Sequence, residues 1–381
     1  MDCIYLDNNA TTPTDPLVLE AMKQYFCKDY GNPSSGTHQS GRKAKEAIDQ
    51  ARHSVAKLMN ATAEEIIFTS GATESNNIAI LGLTRALKGQ TPHIITANTE
   101  HKAVLDVCHM ATECGAEITV LEVNSQGQVT AEQVEAAIKP NTKLMTLMAA
   151  NNEVGTLHPI KAIGKIAKKH NVLFHTDAAQ AAGKIELDVD EMNIDLLSIS
   201  GHKMYAPKGI GALYVRKGTP LMPIMGGGQQ EKGLRPGTHN VPAIIGLAKA
   251  CDLCIDEIEA ETSRLTALRD LLINEVLLAF PSAQLNGHPI QRLCNNISVT
   301  INDVDPSLAS LYMSGIAYSS TSACNSTGGL SHVLEALGLD SLASSKTMRF
   351  GLGRFTKESE VQACIEKLKK LKPSQKVASS Q

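Results

Sequence analysis

Chemistry in this chain of 381 residues is first suggested by Ser198-Ile199-Ser200-Gly201-His202-Lys203. A strand-like run ends there in a turn of small residues that delivers a lysine. A lysine held and desolvated at such a place loses basicity and becomes a Schiff-base former. Twenty-six residues earlier, Phe174-His175-Thr176-Asp177 brings an aspartate out at the end of another apolar run. A carboxylate there can pair with a protonated pyridine nitrogen and keep a ring electron-poor. Taken singly, these are more often a surface lysine and a cap or turn aspartate. As a pair, on one strand end and the next but one, they form the arrangement expected of a pyridoxal-phosphate (PLP) enzyme. Thr69-Ser70-Gly71-Ala72-Thr73-Glu74-Ser75-Asn76-Asn77 adds a glycine turn followed by a helix start rich in hydroxyls. Such a segment suits a phosphate group, although it also reads as an ordinary Ser/Thr cap.

A second reactive group is Cys324, within Ser319-Ser320-Thr321-Ser322-Ala323-Cys324-Asn325-Ser326-Thr327-Gly328-Gly329. The segment can bury little, so a mobile loop with an accessible thiol is expected. Composition alone leaves open a loop cysteine of no importance. The other cysteines lack such a setting. Cys251 and Cys254 form a CxxC inside an apolar helical stretch with no second pair, which predicts helix packing rather than metal or redox chemistry.

The elements that must position these groups alternate. Strands are predicted at 66–69, 93–96, 117–121, 143–148, 172–175 and 195–199, with helices at 74–88, 102–114, 131–138 and 160–170. This predicts an α/β fold with a mostly parallel central sheet covered by helices on both faces. Beyond residue 240 the pattern becomes a long helical stretch at 243–278, strands at 295–301 and 347–352, and a helix at 358–371. That reads as a smaller α+β domain joined through a helix around 240–262. The expected division is a large PLP-binding domain over 15–255, and a small domain made of 1–14 and 256–381 that carries the loop 319–329.

Several ordered motifs resemble the NifS/IscS-type cysteine desulfurases, a group of class V aminotransferase-like, fold-type I PLP enzymes. They are Tyr5 to Pro13, Gly31 to Ser35, Thr69 to Asn76, Ala150 to Thr156, His175 to Gln180, Ser200 to Lys203, Arg235 to Thr238, Ser322 to Cys324 and Arg349 to Phe355. The resemblance implies that Lys203 holds the cofactor and that Asp177 faces the ring nitrogen. Gln180 would donate to the ring's phenolic oxygen, and His101 would stack on the ring and move protons. Ala72 (through its backbone), Thr73, Ser200 and His202 would hold the phosphate. Thr238 would reach that phosphate from the other subunit of a homodimer. Asn152 and Arg349, with Asn32 as a weaker candidate, would bind the carboxylate of L-cysteine. Cys324 would take the sulfur as a persulfide and pass it to an acceptor protein such as an iron–sulfur scaffold, touching a nascent cluster at most transiently. The resemblance also implies L-alanine as the other product. The Ser-Ala-Cys context matches the long-loop branch; the Arg-x-Gly-His-His-Cys pattern of the other branch is absent. The stretch from Cys324 to Val333 is about one residue shorter than in typical IscS-like members. A selenocysteine lyase or another β-eliminating PLP enzyme would share Lys203 and Asp177, and only a desulfurase needs Cys324. A catalytically silent scaffold with the same fold is the non-enzyme alternative.

Bulk properties fit this picture. Hydrophobic residues make up 43% and charged residues 20%, the net charge is −3, and Trp is absent. Nothing in the charge points to nucleic acid or a membrane surface. No apolar run of about 18 residues predicts a membrane span. The start, Met1 to Asp7, lacks the basic and apolar regions of a signal peptide. Nine cysteines in such a chain predict reduced thiols and a cytoplasmic location.

Overall fold

The protein is described over residues 3–320 and 330–371 in a computed structural model. In chain order the first elements are β1 (Ile4–Tyr5), α1 (Pro16–Cys27), α2 (Gln39–Lys57), β2 (Ile66–Thr69), α3 (Ala72–Ala86), β3 (His93–Ala97), α4 (Lys102–Glu113) and β4 (Glu117–Leu121). Then come α5 (Ala131–Ala136), β5 (Thr142–Thr146), α6 (Ile160–Lys169), β6 (Leu173–Asp177), β7 (Leu196–Ser200), β8 (Gly211–Val215) and α7 (Val241–Ala279). The rest are β9 (Ala283–Leu285), β10 (Asn296–Ile301), α8 (Pro306–Tyr312), β11 (Ile316–Ala317), β12 (Ser319–Ser320), α9 (His332–Ala336), α10 (Ser341–Ser345), β13 (Thr347–Gly351) and α11 (Glu358–Lys369).

Seven strands form the main sheet in the order β2-β8-β7-β6-β5-β3-β4. Six of them point the same way, and β8 is antiparallel to its neighbours β7 and β2. Side chains alternate between the two faces of a strand, and here both faces are covered. Phe68, Ile95, Met145 and Leu197 enter one core with α2, α6 and the first half of α7. Their chain neighbours Ile67, Ile94, Leu144 and Leu196 enter another with α3 and α4. Double burial explains why these strands read as continuous apolar runs.

A separate core gathers Leu6, the second half of α7, and the antiparallel sheet β12-β13-β10-β9. The joining helix expected around 240–262 is thus one helix of 39 residues. It contributes Val241 to Cys254 to one core and Leu265 to Ala279 to the other. Cys251 and Cys254 are buried in its packing face, as helix packing requires. No helix among the described residues is long and apolar enough to cross a membrane.

Candidate active site

The parallel strands converge on a cavity of about 610 Å³ at their C-terminal ends. Ligands in open α/β sheets bind at this edge. Asp177 is the last residue of β6. Lys203 closes a single 3-10 turn directly after β7. The two strands are immediate neighbours, with Asp177 in register with Ser198. This corrects the expected spacing of one strand and the next but one: no strand intervenes between Asp177 and Ser200.

The Lys203 Nζ donates to the carbonyls of Asn9 at 2.6 Å and Ala10 at 2.7 Å. Its pKa is lowered to about 8. Burial is the main cause, with the positive charges of Arg349 and Lys184 adding to it and Asp177 and Asp7 opposing it. Asp177 is 7% exposed. Its Oδ2 accepts from Asn76 Nδ2 at 2.7 Å and its Oδ1 from the Ala179 N–H at 2.9 Å. Gln180 Nε2 donates to the Asn9 carbonyl at 2.9 Å, and Asn9 Nδ2 returns a bond to Gln180 Oε1. Burial and the cations of Lys203, Lys208 and Lys184 lower His202 to about 4. Its imidazole is therefore neutral at pH 7, with Nδ1 against the Thr11 hydroxyl at 3.1 Å. Residues 7–12 thus lie as a strap over the cavity, tied to Lys203, Gln180 and His202.

At the other end of the cavity, α3 begins after Gly71 with no side chain capping it. Gly71 takes a φ of +152°, a backbone that side-chain-bearing residues rarely adopt. A Cβ on Gly211, the partner of Thr69 across the sheet, would lie 2.6 Å from the Gly71 Cα. Backbone contact this close brings the Ala72 and Thr73 end of the helix beside Ser200, and all three line the cavity. The result is an uncapped helix start with hydroxyls, a neutral imidazole, a lysine of lowered basicity, and a buried carboxylate. This donor set fits PLP, which needs an anion cradle, an amine and a partner for its ring nitrogen.

Other predicted residues divide into three groups. His101 and Asn152 line the same cavity, and His101 also caps α4, its Nδ1 accepting from the Ala103 N–H at 3.1 Å. Arg349 lies in an adjoining cavity of about 630 Å³ that shares Ala10, His101 and Asn152 with the first. Asn32 and Thr238 are exposed and do not line the cavity. Asn32 spends its Oδ1 on the Ser34 N–H at 2.9 Å. The structure therefore does not bring Asn32 to the site, and it leaves Thr238 on the surface of its own chain. Cys324 lies outside the described residues.

Two buried groups were missed. Lys184 Nζ donates to the Lys203 carbonyl at 3.2 Å. Glu100 is fully buried and accepts the Met148 N–H at 2.6 Å, and burial pushes its carboxyl well above the usual range. Their partners come from distant segments, so no local motif marks them.

Comparison with known proteins places this geometry. Residues 4–364 match the family described as Aminotransferase class-V. The chain belongs to that family, and within it to the cysteine desulfurases. It is 46% identical to the cysteine desulfurase IscS of Anaeromyxobacter dehalogenans, over 97% of this chain and 93% of that one. Among solved structures, a NifS-like protein superposes with a TM-score of 0.90 at 35% identity, covering 97% of this chain and 98% of that one. A structure of SspA in complex with cysteine gives 0.81 at 39% identity, with 92% and 98% covered.

Proposed function

We propose that this protein is a PLP-dependent cysteine desulfurase that converts L-cysteine to L-alanine and passes the sulfur through Cys324 to an acceptor protein. The observation that carries the reading is Lys203: an amine of lowered basicity in a cleft opposite a buried aspartate, in a chain close to named desulfurases.

In this reading Lys203 binds the cofactor and then acts as the base at the substrate Cα. Asp177, fixed by Asn76 and Ala179, holds a proton on the ring nitrogen. Gln180 donates to the phenolic oxygen, and His101 moves protons at the substrate thiol. Ala72, Thr73, Ser200 and His202 hold the phosphate, joined by Thr238 of the partner subunit in a homodimer. Bound PLP supplies an electron sink that makes the Cα proton acidic. Asn152 and Arg349 orient the substrate carboxylate, with Arg349 supplying the charge. The Cys324 thiolate attacks the substrate sulfur. The Cβ–S bond breaks with its electron pair going to carbon, which takes a proton to become the methyl group of alanine. Cys324 is left as a persulfide.

The same reading divides the chain into domains at 15–255 and at 1–14 with 256–381. It places the protein in the cytoplasm, supported by eight described cysteines that are all free thiols. An iron–sulfur scaffold is the proposed acceptor class.

The test is direct. Purified protein is expected to be yellow and to turn L-cysteine into equimolar alanine and sulfide when a thiol is present. Cys324→Ala should keep the colour and lose desulfuration, and Lys203→Ala should lose the cofactor's visible band. Full activity in Cys324→Ala would rule out the persulfide step.

A further inference from the structure

Arg349 is already facing a carboxylate. It lies on β13 opposite Ser319 of β12. Its Nη2 donates to Asp7 Oδ1 at 3.1 Å and to Ser319 Oγ at 2.6 Å, and its Nη1 to the Asn152 carbonyl at 3.2 Å. Ser319 in turn donates to the same Asp7 oxygen at 2.8 Å. The Arg349 and Asp7 side chains are only 15% and 19% exposed.

Asp7 is not free to wander. It bridges to Gly351 of β13, the Asn8 N–H donates to the Gly351 carbonyl at 3.0 Å, and the Gly351 N–H donates to the Leu6 carbonyl at 2.7 Å. From that fixed backbone it offers one oxygen to one guanidinium nitrogen. The Arg349 Nε is buried and has no partner among the described residues. A guanidinium matches a carboxylate best through two parallel N–H groups, and a buried donor left unpaired is costly. The arginine therefore holds a one-oxygen occupant and keeps an unfilled donor beside it. A carboxylate bridging Nε and Nη2 would fill that donor, and it needs the position of the Asp7 oxygen.

We propose that Asp7 is a specificity-determining residue, a built-in competitor that occupies Arg349 until a substrate carboxylate displaces it. This rests on the reading of Arg349 as the carboxylate anchor. A free arginine in this cavity would accept any small anion. With Asp7 in place, only a ligand that gains both guanidinium bonds and is also anchored elsewhere in the cleft repays the exchange. The pair acts on two titratable groups: Lys203, which Arg349 disfavours as an ammonium and Asp7 favours, and the neutral Tyr5 hydroxyl, whose pKa is raised by burial first and by Asp7 second.

The experiment titrates the visible cofactor band of the holoenzyme with L-alanine and with L-alaninamide, which has the same amine and no carboxylate. Asp7→Asn is expected to bind L-alanine about threefold tighter or more, with L-alaninamide unchanged. Unchanged or weaker L-alanine binding in Asp7→Asn overturns the proposal. Should that variant lose its band, Asp7→Ser is titrated in its place and judged by the same result. Arg349→Gln is the separate control: weaker L-alanine binding with unchanged L-alaninamide is expected. If Arg349→Gln fails to discriminate between the two ligands, the anchor assignment itself is wrong, and the proposal falls with its premise.

Discussion

In the proposed reaction Lys203 serves as an ammonium and as a free amine in turn, and its surroundings make that exchange shallow. In protein stripped of cofactor, labelling of Lys203 by an amine-reactive reagent should rise with pH through a midpoint of about 8, well below that of an ordinary lysine. Lys184 contributes to this without touching the reacting atoms. It pins the Lys203 carbonyl and adds a repelling charge. Lys184→Met should therefore move the labelling midpoint upward, and Lys184→Arg should restore most of the shift. Loss of packing alone would not move a titration in that way. Lys203 and Asp177 were legible in the sequence because each comes at the end of an apolar run, whereas His202 and Ser200 entered only through the family resemblance. Lys184, Glu100 and Asp7 were not legible, because their roles depend on partners that only the fold supplies.

At the scale of elements, the turn at Gln230–Gly233 fastens three others. Glu231 in this turn accepts two bonds from Arg52 of α2, at 2.7 and 2.6 Å, one from the Phe68 N–H of β2, and pairs with His239 ahead of α7. Burial would raise its pKa, but the bonds from Arg52 and His239 overcome this and hold it at about 2. The folded value lies below the unfolded one of about 4.3. The stabilisation is thus complete above pH of about 4.3 and lost as pH falls through about 2. Glu231→Gln should cost about 3 kcal/mol at pH 7, read as a lower melting temperature, and the gap to the parent should close toward pH 2. A different contact fixes α6. A Cβ on Gly164 would lie 1.8 Å from the Met192 carbonyl. Gly164→Ala should therefore destabilise by about 1–2 kcal/mol in thermal melts, despite the better helix propensity of alanine. Strands such as Ile66–Thr69 and Leu196–Ser200 were legible because burial on both faces makes them mostly apolar. The sequence reading missed β8, which follows β7 without an intervening α-helix and runs antiparallel. It also missed α2, whose buried stripe of Ala44, Ala47, Ile48, Ala51 and Val55 is built mainly from small residues between charges.

At the scale of the whole molecule, one helix serves two cores. α7 gives its first half to the sheet that bears Lys203 and its second half to the sheet that bears Arg349. Neither core can loosen without exposing part of the other, so heating should give one cooperative transition in calorimetry rather than two; two resolved endotherms would refute the shared-spine picture. The strap over the cavity carries a further consequence. Asp7 meets Arg349 across 342 positions of chain, and Asn8 meets Gly351 across 343. During translation the strap leaves the ribosome well before its partners do. At about 5–20 residues per second the delay is roughly 17–70 s. Until residues 349–351 are made the strap lacks these partners, so chains stalled before them should not show the L-alanine binding of the complete protein.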